Sequence, residues 1–400
     1  MTVDWDGVRA DYPALAERAY LDTACKGLPS SASERAIADH VRRLRESPGD
    51  STTEETIVML EAFGRARSAL AALIHAEPDE IALVPSTESG IAAVAAALAL
   101  EPGSNVIASD LEFIGTVLPW RFRGHDVRFV PHREGTIDVG DLLDAADERT
   151  RAVVVSSVQE VNGFRVDLDL LGRMCRERSI LLVADAIQHV GPLPLDVREV
   201  AVDAVAVGGH KWLCAPFGMG FTYVSRRIHD LLRPPARAFM TAEPPAQGWT
   251  DYLESLERHP GDRLTFPNDA RKLETAALGT TLAAAGIAAA AETLLRIGPD
   301  EIAERSARLV ARTAAALEGA GARIVTPAGT APSSIVTFRI SHDLNDEREL
   351  VESLAREGVL TSLRSTTGTA GIRVSPYFYN DDEDIDRLAA VVERHIRVRA

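Results

Sequence analysis

Two residues set the chemical question: Asp185, which closes the apolar run ILLVAD, and Lys211, which follows the next apolar run in GGHKW. Short runs of Val, Ile, Leu and Ala bounded by Gly or Asp read as buried parallel strands, and ligands in open α/β sheets collect at the carboxyl ends of such strands. A lysine desolvated there loses its proton more readily and can attack an aldehyde. A buried carboxylate needs a cation nearby, and a protonated pyridine nitrogen is one. An amine to tether an aldehyde and an acid to keep a ring electron-poor are what pyridoxal 5'-phosphate asks of a protein. Taken singly, Lys211 reads equally well as a surface loop lysine, and a helix N-cap is the lesser alternative for Asp185; together they favour the cofactor.

Other residue types fit the same chemistry. Gln188, one turn beyond Asp185, is placed to donate to a phenolate oxygen, with a polar surface residue as the plain alternative. Ser86, Thr87 and Glu88 fall where a strand meets a helix, so backbone N–H groups and hydroxyls there form a phosphate cradle or simply cap the helix. His210 offers the phosphate another donor or belongs to the core. Phe113, in SDLEFIGTVLPW, presents a ring that stacks on a cofactor or packs inside. Arg364 and Arg373 are expected on neighbouring strands, where a guanidinium clamps a substrate carboxylate or serves a structural ion pair, the latter favoured more for Arg364. Cys25, in LDTACKG, is expected to line the pocket as a small residue.

The elements that must hold these groups alternate. Strands are predicted at 81–84, 105–108, 126–130, 152–156, 180–184, 204–207 and 220–224, with helices at 3–19, 33–46, 54–75, 91–100 and 169–178. This pattern predicts a mostly parallel, doubly wound sheet of seven strands. After residue 298 the order changes to a helix at 299–318, strands at 323–325, 334–340, 359–363 and 372–374, and helices at 346–357 and 381–397. Gly358 is the expected C-cap and Asn380 the expected N-cap of the last two helices. The acidic cluster 381–384 suits a helix N-terminus better than a metal, and no metal site is expected. The expected division is a large α/β unit at 20–290 and a smaller α+β unit at 291–400, joined by the segment 1–19.

Composition narrows the partners. The chain has 400 residues, 46% hydrophobic, with a net charge of −16. That charge argues against a nucleic-acid partner. The alanine-rich run 276–291 comes nearest to a membrane span, but Gly and Thr interrupt it and a buried helix is the better reading. The N-terminus lacks the apolar core of a signal peptide, and three cysteines without CxxC spacing indicate neither disulfides nor structural zinc. A cytoplasmic protein free of membrane and nucleic acid is expected.

The order STES (86–89), DLEF (110–113), VQEVNGFRVDL (158–168), DAIQHVG (185–191), GGHKW (208–212) and GIRVSPYFYNDDEDIDRL (371–388) resembles the class V aminotransferase group. That group of pyridoxal-phosphate enzymes includes cysteine desulfurases, selenocysteine lyases, isopenicillin N epimerase and relatives of kynureninase. The resemblance covers nearly the whole chain. It implies a fold-type-I homodimer with active sites at the subunit interface and an amino-acid substrate. Carried over by position, Lys211 would hold the cofactor aldehyde, Asp185 the pyridine nitrogen and Gln188 the phenolate oxygen. Thr87, the amide of Glu88, and His210 would serve the phosphate; Arg373 would bind the substrate carboxylate, with Arg364 as a second contact.

Three departures matter. The loop 364–373 reads RSTTGTAGIR and lacks the nucleophilic cysteine of the desulfurases. Position 208 is Gly where relatives often carry Ser or Asp. A phosphate contact from the second subunit is not clear in 273–281, where Thr275 or Thr280 would substitute. The leading expectation is therefore a lyase that eliminates sulfur from a cysteine-like or S-conjugated amino acid. An aminotransferase or epimerase using the same residues is the alternative, and a non-catalytic protein of this fold the third.

Overall fold

The computed structural model describes residues 3–46, 52–237, 239–274 and 280–399. Its strands are β1 (Ala19–Tyr20), β2 (Ile81–Val84), β3 (Asn105–Ser109), β4 (Asp126–Val130), β5 (Thr150–Ser156), β6 (Leu181–Asp185), β7 (Ala204–Gly208) and β8 (Gly220–Val224), then β9 (Arg323–Ile324), β10 (Val336–Arg339), β11 (Val359–Leu360), β12 (Ser362–Thr366) and β13 (Thr369–Val374). Its helices are α1 (Trp5–Ala10), α2 (Ser31–Glu46), α3 (Thr52–Leu73), α4 (Thr87–Leu98), α5 (Ile114–Phe122), α6 (Val139–Asp144), α7 (Leu168–Glu177), α8 (Gly248–Glu254), α9 (Thr281–Ile297), α10 (Pro299–Gly319), α11 (Leu344–Arg356) and α12 (Asp382–Arg399).

The central sheet has seven strands in the order β2-β8-β7-β6-β5-β3-β4. All run parallel except β8, which is antiparallel to both of its neighbours. Alternate side chains enter separate cores. Val153 and Val155 of β5 face one layer while Ala152 and Val154 face the other. The first layer includes Ala66 and Leu70 of α3, Leu171 of α7 and Ala288 of α9; the second includes Val94 of α4 and Trp120 of α5. Because both faces are covered, the central strands β6 and β7 are apolar along nearly their whole length, which is what made them legible, whereas the edge strand β4 carries Asp126 and Arg128. The mostly parallel α/β architecture of fold type I is thus as expected.

A second sheet, β12-β13-β10-β9, is antiparallel. Its own core joins Val336, Phe338, Ile372 and Val374 to Leu317, Leu350, Leu388 and Val392 of α10, α11 and α12. The N-terminal segment is stitched to this region: β1 pairs with β11 in parallel and Asp22 bridges Ser375. Two side-chain bonds tie the small sheet to the turn after β5, from Thr337 Oγ1 to the Val161 carbonyl (2.8 Å) and from Ser333 Oγ to the Gly163 carbonyl (2.7 Å).

Several local expectations need correction. The helix at 3–19 is only α1 plus a 3-10 turn at Pro13–Ala16, since Pro13 cannot continue an α-helix. The predicted strand 359–363 is two strands, and α5 was not expected, because Val117 and the internal Pro119 disguise it. Asn380 does not cap α12. Its amide binds the Tyr20 carbonyl and Asp384, and Asp381 accepts from the Asp384 N–H instead. The acidic cluster answers arginines, with Arg9 on Asp381 and Asp384 and Arg308 on Asp382. Gly358 has φ +74, as a C-capping glycine does. Residues 276–279 of the alanine-rich run, and Thr275, lie outside the described residues; Thr280 sits at the N-cap of α9. Among the described residues no single helix is long and apolar enough to cross a membrane, and α9 with α10 reaches that composition only as a pair bent by 80°.

Candidate active site

The carboxyl ends of β5, β6 and β7 open on a cavity of about 290 Å³. Asp185 and Lys211 both line it, together with Gln188, Phe113, Arg364 and Arg373. Cys25 and Glu160 complete the wall on the side of the small sheet.

Asp185 is the last residue of β6 and is 5% exposed. Its two oxygens accept from Thr116 Oγ1 (2.9 Å) and the Ile187 N–H (3.0 Å). Burial pushes its carboxyl above the usual range, and those two hydrogen bonds and Lys211 pull it back. Among the described residues no cation forms an ion pair with it. A buried acid of this kind fits a protonated ring nitrogen.

Lys211 is half-buried. Burial first, and the nearby Arg373 guanidinium second, lower its pKa; Asp185 and Glu160 oppose them. The amine therefore sheds its proton more easily than a surface lysine does. The segment before Cys25 and after it is pressed onto this lysine's backbone. The Gly27 N–H donates to the His210 carbonyl (2.8 Å), and a Cβ on Gly27 would stand 1.9 Å from the Lys211 carbonyl oxygen. Only glycine allows that approach.

Ser86, Thr87, Glu88 and His210 do not line the cavity but gather beside it. Ser86 caps α4 through its hydroxyl, which accepts from the Ser89 N–H (3.1 Å). Thr87, 5% exposed, has a hydroxyl without a partner. The Thr87 and Glu88 N–H groups sit in the first turn, where no carbonyl of the helix can reach them. The Glu88 side chain is exposed, so any role in a phosphate site belongs to its amide. His210 stacks on Phe217, with centroids 4.7 Å apart, and burial lowers its pKa to about 4. It is a neutral donor near neutral pH, not a cation. Thr87 and His210 meet at Gly208, where a Cβ would lie 2.9 Å from Thr87 Oγ1 and 3.2 Å from His210 Cε1. A side chain at position 208 would therefore press on Thr87, Ile187 and His210. An orphaned hydroxyl, two open amides and a neutral imidazole make a cradle that fits a phosphate.

Gln188 is 3% exposed and already engaged: its Nε2 donates to the Ala24 carbonyl (3.0 Å) and its Oε1 accepts from Trp212 Nε1 (2.6 Å). One amide hydrogen remains for the cavity. Phe113 is 46% exposed at the N-terminus of α5, open to a ring above it.

Arg373 behaves differently from the expectation. The structural ion pair, favoured for Arg364, is tightest at Arg373. Its NH1 binds Glu160 Oε2 at 2.6 Å, while Arg364 Nε reaches the same oxygen at 3.4 Å. Sequence reasoning missed Glu160 although it lies in the VQEVNGFRVDL motif. It also missed Glu112, the acid of DLEF. Glu112 is 8% exposed; one of its oxygens accepts from the Ser156 N–H (2.8 Å) and hydroxyl (2.5 Å), the other from Gln159 Nε2 (3.0 Å). Burial raises its pKa to about 7. Cys25 is exposed and unpaired; Cys175 and Cys214 are buried and unpaired. Among the described residues no cluster of His, Cys, Asp or Glu could hold a metal.

The family model "Aminotransferase class-V" matches residues 20–388. A probable cysteine desulfurase of Methanothermobacter thermautotrophicus is 32% identical over 57% of this chain, a match spanning 58% of that protein. Among solved structures, apo cysteine desulfurase from Thermococcus onnurineus NA1 superposes with a TM-score of 0.85 at 20% identity, covering 100% of this chain and 99% of the other. The cystine C–S lyase C-DES, in complex with cysteine persulfide, superposes with a TM-score of 0.83 at 21% identity, covering 96% and 99%. The chain belongs to the class-V aminotransferase family of pyridoxal-phosphate enzymes.

Proposed function

We propose that this enzyme is a lyase that cleaves the Cβ–S bond of a cysteine-like or S-conjugated amino acid by β-elimination. The observation that carries the reading is the meeting of Lys211, Asp185 and Arg373 around one cavity. When bound, pyridoxal phosphate supplies the electron sink that lets a bond at the substrate Cα break.

The chain's own residues divide the remaining work. Lys211, with its lowered pKa, tethers the cofactor and, once released, takes the proton from Cα. Asp185 holds the ring nitrogen protonated, and Thr116 holds Asp185. The free Gln188 hydrogen serves the phenolate oxygen, and Phe113 covers the ring. Thr87, the Glu88 amide and His210 receive the phosphate, and Arg373 orients the α-carboxylate. The β12–β13 hairpin (364–373) carries no thiol to accept the sulfur, which supports its leaving as a thiol or related species rather than on that hairpin. The named activities of the desulfurase relatives and of C-DES support carbon–sulfur chemistry.

The enzyme is also proposed to act as a homodimer. Ile114, Leu118 and Phe122 recur every four residues on α5 and are 64%, 50% and 89% exposed. That apolar stripe begins one residue after Phe113, so a second copy docked there would close over the cavity.

The test is product analysis over cysteine, cystine and S-alkyl cysteines. Pyruvate and ammonia are the expected products throughout, with hydrogen sulfide released from cysteine, cysteine persulfide from cystine and a thiol from the S-alkyl cysteines. Alanine with a protein persulfide would instead indicate desulfuration. A keto acid that keeps its side chain, or an inverted Cα, would establish the aminotransferase or epimerase.

A further inference from the structure

Arg373 is the most enclosed charge in the cavity wall, at 1% side-chain exposure. What covers it is another protein acid. Glu160 binds its NH1 through Oε2 (2.6 Å) and again through the backbone carbonyl (3.1 Å). Glu160 and Arg364 remain 22% and 30% exposed, and both line the cavity. Behind Arg373, NH2 reaches Asp22 (3.5 Å) and Ser362 Oγ (3.3 Å), and Ser362 in turn donates to Asp22 (2.7 Å). The Nε–H of Arg373 has no partner.

Two arginines and two carboxylates make this cluster neutral. A further carboxylate arriving from the cavity would leave it one negative charge in excess in a half-buried place, which is costly. It would also find the guanidinium already covered. We propose that Glu160 is a specificity-determining residue of the carboxylate subsite: a resident acid that occupies Arg373 until the substrate carboxylate replaces it. The geometry supplies a route. The Glu160 side chain is partly open to solvent and can carry its charge out, while its backbone carbonyl stays on NH1 and keeps Arg373 in place. Asp22 and Ser362 hold the other side. The exchange is acid for acid, so the cluster stays neutral and only a ligand bearing a carboxylate drives it.

This inference rests on Arg373 being the carboxylate subsite. A competitor that holds most of the population lowers apparent affinity by the fraction of sites left free. The probe is 3-(methylthio)propionate, a carboxylate with no amine to react with the cofactor, titrated calorimetrically into the pyridoxal-phosphate-loaded enzyme. Glu160→Gln keeps the size and removes the charge, and should bind the probe about tenfold more tightly than wild type. Glu160→Asp, whose arm is one methylene shorter and should loosen the contact with Arg373, should shift in the same direction and replaces the first variant if that one fails to fold. Unchanged or weaker binding in both would overturn the proposal, because a merely structural acid would loosen Arg373 when removed. Arg373→Ala separates the two failures. If it weakens the probe while the Glu160 variants do not tighten it, only the resident-acid idea falls. If it binds the probe as wild type does, the subsite itself is misplaced and both readings fall.

Discussion

The cavity has two walls of different character. The wall built from the ends of β5, β6 and β7 is enclosed and internally bonded, with Ser156, Asp185 and Gln188 each under 7% exposed. The wall built from the small sheet and the turn after β5 is a cluster of four charges, of which only Arg373 is fully enclosed. A cofactor that stays through every turnover suits a wall whose groups are already aimed, because nothing has to reorganise when it binds. A substrate that comes and goes suits a wall whose charges can exchange partners. On the proposed function, the strand ends keep the cofactor and the small sheet handles the substrate.

The strongest way to break this comparison is to remove the tether. On the proposed function, Lys211→Ala deletes both the covalent anchor and the group that moves the Cα proton, so turnover should fall by about ten-thousand-fold or more. Spectra should still show some cofactor held by Asp185 and the phosphate cradle. Turnover near the wild-type rate would remove Lys211 from the chemistry.

A second test asks whether the strand-end wall is built for the cofactor rather than for stability. Asp185→Asn preserves shape, and the Thr116 hydroxyl can turn to accept from the new amide. Turnover and cofactor affinity should drop on the order of a hundredfold, as when one aimed electrostatic partner is lost. The cofactor-free variant should melt no lower than wild type, since a buried acid without an ion-pair partner costs stability. A large fall in melting temperature would make Asp185 a structural residue and blur the distinction between the walls.

The difference between the walls also governs what the chain revealed before folding. Asp185 and Lys211 were legible because each sits next to an apolar run and the run says which end it occupies. The direction of β8 was not, since a short buried run such as GFTYV reads the same either way. Side-chain partners were invisible because they are distant in sequence: Thr116 lies 69 positions from Asp185, and Glu160 lies 213 from Arg373. Glu160 and Glu112 stood inside the motifs used for recognition, yet nothing local distinguishes a clasped or buried acid from a solvated one. Only the packing of the small sheet against the turn after β5 gives Glu160 its neighbours.

The smallest effect concerns Glu112, which braces the strand-end wall by holding Ser156 and Gln159. Its pKa is raised from 4.5 to about 7 by burial. The unfolded chain gives up this proton near the lower value and the folded chain near the upper one. The folded state therefore binds more protons in between, and stability is lost as pH climbs through that window. The loss amounts to about 3 kcal/mol at 1.36 kcal/mol per unit. Glu112→Gln removes the titration. Its amide can still accept from Ser156, and Gln159, whose Oε1 lacks a partner, can flip to accept from the new NH2. Melting curves of wild type between pH 5 and 7.5 should fall more steeply than those of the variant. Other buried acids contribute to both proteins alike, so the difference isolates Glu112. Parallel curves would mean that Glu112 is already charged at pH 5, held by its three hydrogen bonds, and that the strand-end wall carries a second permanent negative charge beside Asp185.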